Sequence, residues 1–123
     1  RAASAAGVIM TLSSLSTTAI EEVTAAATGP VWFQLYINPD RGFTRALVER
    51  AIAAGCRAIV LTVDTPLWGR RERDVRNVFH LPEGLAAVNL LGADPHAVER
   101  GQRGAGLGQA FGWMVDASLT WRD

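Results

Sequence analysis

The sequence predicts an α/β fold in which a parallel sheet is covered by helices. Three short apolar runs, at residues 8–12, 31–37 and 58–63, alternate with two segments whose apolar residues recur at helical spacing. Strands that alternate with helices of this length are typical of βαβ units, which are joined by right-handed crossovers. Three strands with two to three helices fit a portion of a barrel and a portion of an open sheet equally well.

The first elements are short and bounded by recognisable end signals. Residues 2–6 resemble the last turn of a helix, and Gly7 can end it in a left-handed conformation. After the first strand we expect a helix at residues 19–27. Thr18 and Glu21 have the spacing of a capping box, in which the hydroxyl and the carboxylate bond the open backbone donors of the first turn.

The clearest helix follows the second strand. Asp40 is placed to cap its N-terminus. Phe43, Leu47 and Ala51 then recur on one stripe, as in a helix that packs against a core, and Gly55 marks its end. The third apolar run begins three residues later, so the sequence continues as helix, turn and strand.

Regularity fades in the last third of the chain. Residues 85–91 are expected to run over the surface, and the glycine-rich residues 92–112 are typical of a long loop. We therefore divide the chain into regular βα units at residues 1–77 and a loop or lid-like insertion at residues 78–117. Residues 118–121 are expected to begin another helix.

Composition excludes several classes of protein. The formal charge is zero, from 12 basic and 12 acidic residues, which gives no basis for binding nucleic acid. All basic residues are arginine, so no lysine can act as a nucleophile within the chain. Cys56 is the single cysteine and is expected to be a buried structural thiol. No stretch approaches the roughly 20 apolar residues that span a bilayer.

Two features that suggest cofactor or metal binding fail on detail. Gly104 and Gly106 could begin a dinucleotide-binding G-x-G-x-x-G motif, but Gln109 occupies the position of its third glycine. His80 and His96 are the only histidines and lack the spacing of three or four convergent ligands. We therefore predict a flexible loop and no metal site.

Polar side chains occur at the ends of all three predicted strands. Ser13 follows the first, Gln34 and Tyr36 lie in the second, and Thr62 and Asp64 end the third. Buried polar groups are costly unless they are paired, and the carboxyl ends of parallel strands meet at one edge of a sheet. Polar residues on three successive strands therefore indicate a shared polar site at that edge.

Four arginines alternate with acids after the third strand, at residues 70–76. Mixed charges of this kind are typical of a solvated, salt-bridged surface. An arginine near a strand end is also suited to binding a carboxylate through two parallel hydrogen bonds. The residues alone leave both interpretations open.

Four sequence pieces occur in a fixed order: TLSS at 11–14, WFQLY at 32–36, LTVDTP at 61–66 and GRRERDVRN at 69–77. Together they resemble the FMN-dependent α-hydroxy-acid oxidases and dehydrogenases, the family of glycolate oxidase and flavin-type lactate dehydrogenase. The resemblance implies a (β/α)8 barrel that binds FMN at the carboxyl ends of its strands. The three strands would be the second, third and fourth of that barrel, followed by a long loop.

The resemblance also implies roles for individual residues. The residues that hydrogen-bond the flavin ring are matched by Ser13, Gln34 and Thr62. Tyr36 matches a catalytic and substrate-binding tyrosine whose hydroxyl contacts the substrate near its reacting carbon. Asp64 matches the catalytic aspartate that pairs with the histidine base, and Arg71 matches the arginine that binds the substrate carboxylate.

Two positions depart from the glycolate-oxidising members of the family. Leu15 stands where those members often have tryptophan, and Trp68 stands where they often have a smaller residue. Both positions are expected to line the substrate pocket. A reshaped apolar side of the pocket and neutral drift are both open interpretations.

The family's histidine base, flavin-contacting lysine and phosphate-binding loops lie on later strands. We therefore expect an internal fragment, inactive by itself, of an FMN enzyme that oxidises an L-2-hydroxy acid to the 2-oxo acid. The alternatives are a truncated non-catalytic remnant or binding protein, and another FMN-dependent barrel enzyme. The resemblance further implies a homo-oligomeric full-length protein, cytoplasmic or membrane-associated, and leaves oxygen, a quinone or a cytochrome open as electron acceptor.

Overall fold

The computed structural model describes residues 1–64, 69, 72–79, 81–91 and 115–122. Three strands form a parallel sheet in chain order: β1 (Met10–Ser13), β2 (Val31–Leu35) and β3 (Ala58–Leu61). The helices are α1 (Ala2–Ala5), α2 (Ile20–Ala26), α3 (Arg41–Ala53) and α4 (Glu72–Arg76), followed by a 3₁₀ turn at Val88–Leu90. The predicted order of strands and helices is confirmed through β3.

The central strand β2 divides the sheet into a covered and a less covered face. Side chains alternate along a strand, so Val31, Phe33 and Leu35 share one face, where all three are buried against the helices. The remaining members of the buried core are Leu12, Ile20, Leu47, Ala51 and Leu90. The opposite face carries Trp32 and Gln34, which are half-buried.

The outer strand β3 is less protected than β2. Its partner on one side is β2, with Gln34 opposite Val60 in the register. Ile59, Leu61 and the following Val63 are 37%, 38% and 59% exposed. Side chains of this kind are typical of strands buried on both faces, so β3 has the composition of an interior strand.

The end signals of α3 are confirmed. The Asp40 carboxylate accepts a hydrogen bond of 3.0 Å from the Phe43 N–H, as an N-cap should. Leu47 and Ala51 are buried, and Phe43 packs against the same core. Beyond the helix, Gly55 has φ +87°, a left-handed conformation that residues with a side chain rarely adopt.

The capping box predicted from Thr18 and Glu21 is wrong, because no side chain next to α2 caps it. Its first N–H, on Ile20, instead donates to Oδ1 of Asn89 at 3.1 Å. The Glu21 carboxylate binds the guanidinium of Arg50 in α3, at 2.6 Å from Nε and 2.8 Å from Nη2. Contacts with Asn89 and Arg50, both distant in sequence, are formed instead of the local capping box.

The surface course predicted for residues 85–91 is wrong at its end. Asn89 and Leu90 are only 2% and 8% exposed, and Leu90 belongs to the hydrophobic core. Ala87, two residues before Asn89, also packs against that core. Residues 85–91 are apolar except for Asn89, so no period marks the buried positions, and their burial follows from docking rather than from local pattern.

The ends of some elements also differ from the predictions. β1 begins at Met10, which is paired with Val31, and so leaves Val8 and Ile9 exposed ahead of the sheet. Residues 115–122 form turns rather than the predicted start of a helix. The glycine-rich stretch, both histidines and most of the predicted insertion lie outside the described residues. The described helices include none long and apolar enough to cross a membrane.

Candidate functional site

The carboxyl ends of the three strands bring Ser13, Gln34 and Thr62 into one hydrogen-bonded chain. Ser13 Oγ donates to Gln34 Oε1 at 3.3 Å, and Gln34 Nε2 donates to Thr62 Oγ1 at 2.8 Å. The parallel register explains this, because Ser13 and Gln34 are direct partners and Thr62 follows β3 by one residue. The shared polar site predicted from the strand ends is present for these three residues.

The amide of Gln34 has a defined orientation. Its Oε1 also accepts hydrogen bonds from Ser14, at 3.3 Å from the backbone N–H and 3.4 Å from Oγ. Because an amide oxygen only accepts and an amide nitrogen only donates, the oxygen faces β1 and the nitrogen faces β3. Thr62 Oγ1 accepts the bond from that nitrogen, which leaves its own O–H to donate to a ligand.

Sequence reasoning missed Ser14, which is 1% exposed and almost completely inside the protein. The TLSS piece contains both serines, but the alternation of a strand assigns only Ser13 to the side of Gln34. The chain turns immediately after β1, and this turn brings the Ser14 N–H and hydroxyl to the same acceptor. Only the path of the turn after β1 reveals this contact.

The other predicted site residues that the structure describes are Tyr36 and Asp64. Tyr36 follows β2 directly and is half-buried, packed against the hydrophobic core. Asp64 lies three residues beyond β3 and is exposed. Arg71 and Trp68 lie outside the described residues. The structure therefore joins the three predicted flavin contacts and puts Tyr36 and Asp64 at the same edge of the sheet.

A distant segment, residues 115–122, docks beside this edge. The Asp116 N–H donates to the Ile37 carbonyl at 3.0 Å, and Asp116 Oδ2 lies 2.7 Å from Arg41 Nη2. Arg41 Nη1 also donates to the Asn38 carbonyl at 3.0 Å. Hydrogen bonds from Ser118, and then the Arg41 guanidinium, hold the pKa of Asp116 below its ordinary value.

A cavity of about 770 Å³ opens between the docked segment and the sheet. Thr62 lines it, together with apolar side chains that include Val63 and Trp121. Pockets of several hundred cubic ångströms, mainly apolar with a few placed polar groups, are typical of small-molecule sites. Thr62 therefore belongs both to the polar chain and to the lining of a cavity.

Two further groups bear on the chemistry of the site. The described residues include no group of three histidine, cysteine, aspartate or glutamate side chains that could hold a metal ion. Cys56 is half-buried at the opposite edge of the sheet, where burial, with a smaller contribution from Glu21, raises the pKa of its thiol. A raised pKa disfavours the reactive thiolate, as expected for a structural cysteine.

Comparisons with known sequences point in one direction. A family model described as FMN-dependent dehydrogenase matches residues 1–123. The chain is 50% identical to glycolate oxidase 3 of Oryza sativa subsp. indica over 123 residues, which are 100% of the chain and 33% of that protein. It is 48% identical to an L-lactate oxidase of Nostoc sp., covering 99% of the chain and 34% of that protein. The chain thus spans about a third of the length of the curated relatives it matches.

Solved structures agree with the sequence comparisons. An oxidised active mutant of (S)-mandelate dehydrogenase is similar with a TM-score of 0.77 and 33% identity, over 99% of this chain and 34% of that one. A mandelate oxidase with (S)-2-phenylpropionate gives a TM-score of 0.68 and 50% identity, over 73% of this chain and 27% of that one. The mandelate dehydrogenase neighbours are TIM barrels, which confirms the predicted partial (β/α)8 barrel.

Proposed function

Since this chain belongs to the FMN-dependent dehydrogenase family, we propose that it forms part of an enzyme that oxidises an L-2-hydroxy acid to the 2-oxo acid. The names of the relatives above give glycolate, lactate and mandelate as their substrates, and all three molecules are 2-hydroxy acids. The observation that carries the proposal is the hydrogen-bonded chain of Ser13, Gln34 and Thr62. It supports a site for a planar polar ring at the strand ends.

The chemistry of these three residues fits the polar edge of a flavin ring. That edge alternates carbonyl oxygens with a ring N–H, so it needs both donors and acceptors. Thr62 offers its O–H, Gln34 offers the second N–H of its amide, and the Ser13 oxygen can accept. When bound there, FMN would take up the two electrons that leave the substrate α-carbon.

The remaining residues would act on the substrate. Arg71 binds the carboxylate of the hydroxy acid, for which a planar guanidinium offers two parallel donors. Tyr36 donates its hydroxyl hydrogen to the substrate oxygen near the reacting carbon. Asp64 stabilises the protonated form of the histidine base that the family carries on a later strand, as the acid of a catalytic triad does for its base.

The full-length protein that contains this chain tests the proposal. Purified protein should be yellow with bound FMN, and its flavin absorbance should be bleached anaerobically by at least one of glycolate, L-lactate and (S)-mandelate. Protein without flavin, or with flavin that none of the three bleaches, would contradict the proposal. Absence of both properties would favour the alternative of a non-catalytic remnant.

The electron acceptor and the assembly need separate experiments. Turnover with oxygen, a quinone or a cytochrome after substrate reduction would identify the acceptor. The homo-oligomeric state and the cytoplasmic or membrane-associated location are further parts of the proposal, which light scattering and cell fractionation would test.

A further inference from the structure

Asn89 lies outside the polar chain of Ser13, Gln34 and Thr62. Its side chain is almost fully buried and hydrogen-bonds backbone groups that are distant in sequence. Asn89 Oδ1 accepts a hydrogen bond from the Ile20 N–H at 3.1 Å, across 69 residues of sequence. Its Nδ2 donates to the Thr18 carbonyl at 3.3 Å, across 71 residues. Because the amide uses its oxygen as acceptor and its nitrogen as donor, no residue without both groups can replace it fully.

The contact also supplies what α2 lacks. The first N–H groups of a helix have no partner within the helix, and a polar N-cap side chain usually provides one. The N-cap position of α2 is Ala19, which has no polar side chain. The Asn89 amide therefore caps α2 and also bonds residues 81–91 to the start of that helix, while Leu90 packs the same segment into the hydrophobic core.

The Asn89 contact lies at the end of the loop that connects β1 to α2, and this loop starts at the polar site. Residues 14–19, the β1–α2 loop, begin at Ser14, which donates to Gln34. They end at the Thr18 carbonyl and the Ile20 N–H, which Asn89 binds. Leu15 lies between these two attachments, half-buried against the core, with its N–H donated to Ser13 Oγ at 3.1 Å.

We propose that Asn89 is a positioning residue that holds the β1–α2 loop, and with it Leu15, at the 2-hydroxy-acid pocket. The pocket belongs to the proposed function, so this inference rests on it. Without the Asn89 amide the far end of the loop is released, and Leu15, which the family resemblance puts at the substrate pocket, shifts. Binding of the substrate then weakens although every residue in contact with it is unchanged.

The test separates capping from positioning. Ala19 has φ −63° and ψ 150°, the extended conformation of an N-cap, so Ala19→Asp can cap α2 without residues 81–91. In the full-length protein, Asn89→Ala should lower the melting temperature and raise KM for the best substrate roughly tenfold with unchanged flavin content. Adding Ala19→Asp should restore the melting temperature and leave KM raised. Ala19→Asp alone should leave KM unchanged.

Two results would overturn the proposal. A KM that returns to the parent value in the double variant would make Asn89 a helix cap and nothing more. A KM that does not change in Asn89→Ala, with the melting temperature lowered, would have the same meaning.

Limited proteolysis tests the attachment without using activity. Cleavage within residues 81–91 should be faster in Asn89→Ala than in the parent protein. The double variant should be cleaved as fast as Asn89→Ala. Equal cleavage of parent and variants would overturn the attachment. A parent protein that binds no FMN would overturn the proposed function instead, and the cleavage rates would still decide whether Asn89 holds the segment.

Discussion

Backbone hydrogen bonds join the strands at both edges of the sheet, and the carboxyl edge adds hydrogen bonds between side chains. At the carboxyl edge, side chains from three strands bond one another through the Gln34 amide. At the opposite edge backbone groups join neighbouring strands: the Arg57 N–H donates to the Val31 carbonyl at 2.8 Å, and the Met10 N–H donates to the Pro30 carbonyl at 3.2 Å. Side chains can be exchanged without altering the path of the chain, whereas backbone pairing between strands depends on that path.

This difference assigns separate tasks to the two edges. In (β/α)8 barrels the active site lies at the carboxyl ends of the strands, and the opposite face contributes stability. The polar side chains of this protein follow the same division. We therefore expect substitutions at the carboxyl edge to change FMN and substrate binding most, and substitutions at the opposite edge to change the free energy of unfolding most.

The largest effect is expected at Gln34. Gln34→Glu keeps the acceptor for Ser13 and Ser14 but removes the donor to Thr62 and adds a negative charge beside the ring. FMN affinity of the full-length protein should fall about 100-fold, or roughly 2.8 kcal/mol, measured by fluorescence titration of the apoprotein. Glu49→Gln, at an exposed position of α3, is the control and should leave the affinity unchanged. Unaltered affinity in Gln34→Glu would remove this edge from the flavin site.

Arg71 should show the next largest effect, on substrate rather than cofactor. Arg71→Lys replaces two parallel donors with a single charge, so KM for the 2-hydroxy acid should rise roughly tenfold with FMN affinity unchanged. Arg73→Lys, on the exposed surface of α4, is the matched control. Steady-state kinetics of both variants decide between a ligand role and a solvated charged surface, and equal KM values would favour the surface.

The sequence was sufficient where a feature depends on neighbours along the chain. The Asp40 cap and the Leu47 and Ala51 stripe follow from local spacing, and both are present in α3. The Ser13, Gln34 and Thr62 group follows from the general rule that parallel strands end together. Local spacing was enough for α3, and the general rule for parallel strands was enough for the polar group.

The features that escaped prediction depend on contacts far apart in sequence. Thr18 and Glu21 have the right spacing for a capping box, but a cap from Asn89 and an ion pair with Arg50 are formed instead. The free energies of these alternatives differ by about 1 kcal/mol or less, which local pattern cannot resolve. The burial of Ser14 likewise follows from the path of a turn rather than from alternation.

Gly55 tests the opposite edge. Its φ of +87° is strained for any residue with a side chain, although a Cβ there would meet no atom within 4 Å. Gly55→Ala should therefore lower the free energy of unfolding by about 1 kcal/mol, through backbone strain alone, and leave KM unchanged. Urea denaturation provides the measurement.

Gly29→Ala is the matched control on the same edge. Gly29 does not have a left-handed φ, and its added Cβ would lie 3.8 Å from Ser4 Cα, an ordinary contact. The free energy of unfolding should change by less than about 0.5 kcal/mol in either direction. Equal losses in both variants would show that the left-handed conformation of Gly55 does not account for its effect on stability.

The smallest effect is expected in the helices, between Glu21 and Arg50. The Arg50 guanidinium holds the pKa of Glu21 below its ordinary value, while the Arg50 and Glu21 side chains are 37% and 51% exposed. A carboxylate whose pKa is lower in the folded state stabilises the folded protein at pH values above the pKa that the group has in the unfolded state. That stabilisation is lost as the pH falls through the folded value. Glu21→Gln should therefore cost about 0.5 kcal/mol at about pH 7, and this cost should fall as the pH drops through the folded pKa of Glu21.

Glu22→Gln, at the next exposed position, is the control for Glu21→Gln. It removes the same charge from the same turn of α2 without removing the two hydrogen bonds to Arg50. Screening by about 1 M salt should reduce the difference between the two variants, because exposed charges are shielded within a few ångströms. A difference that persists in strong acid would mean that Glu21 stabilises α2 by packing rather than by charge. The helices would then resemble the opposite edge of the sheet, where the conformation of the chain and not the charge of its side chains determines stability.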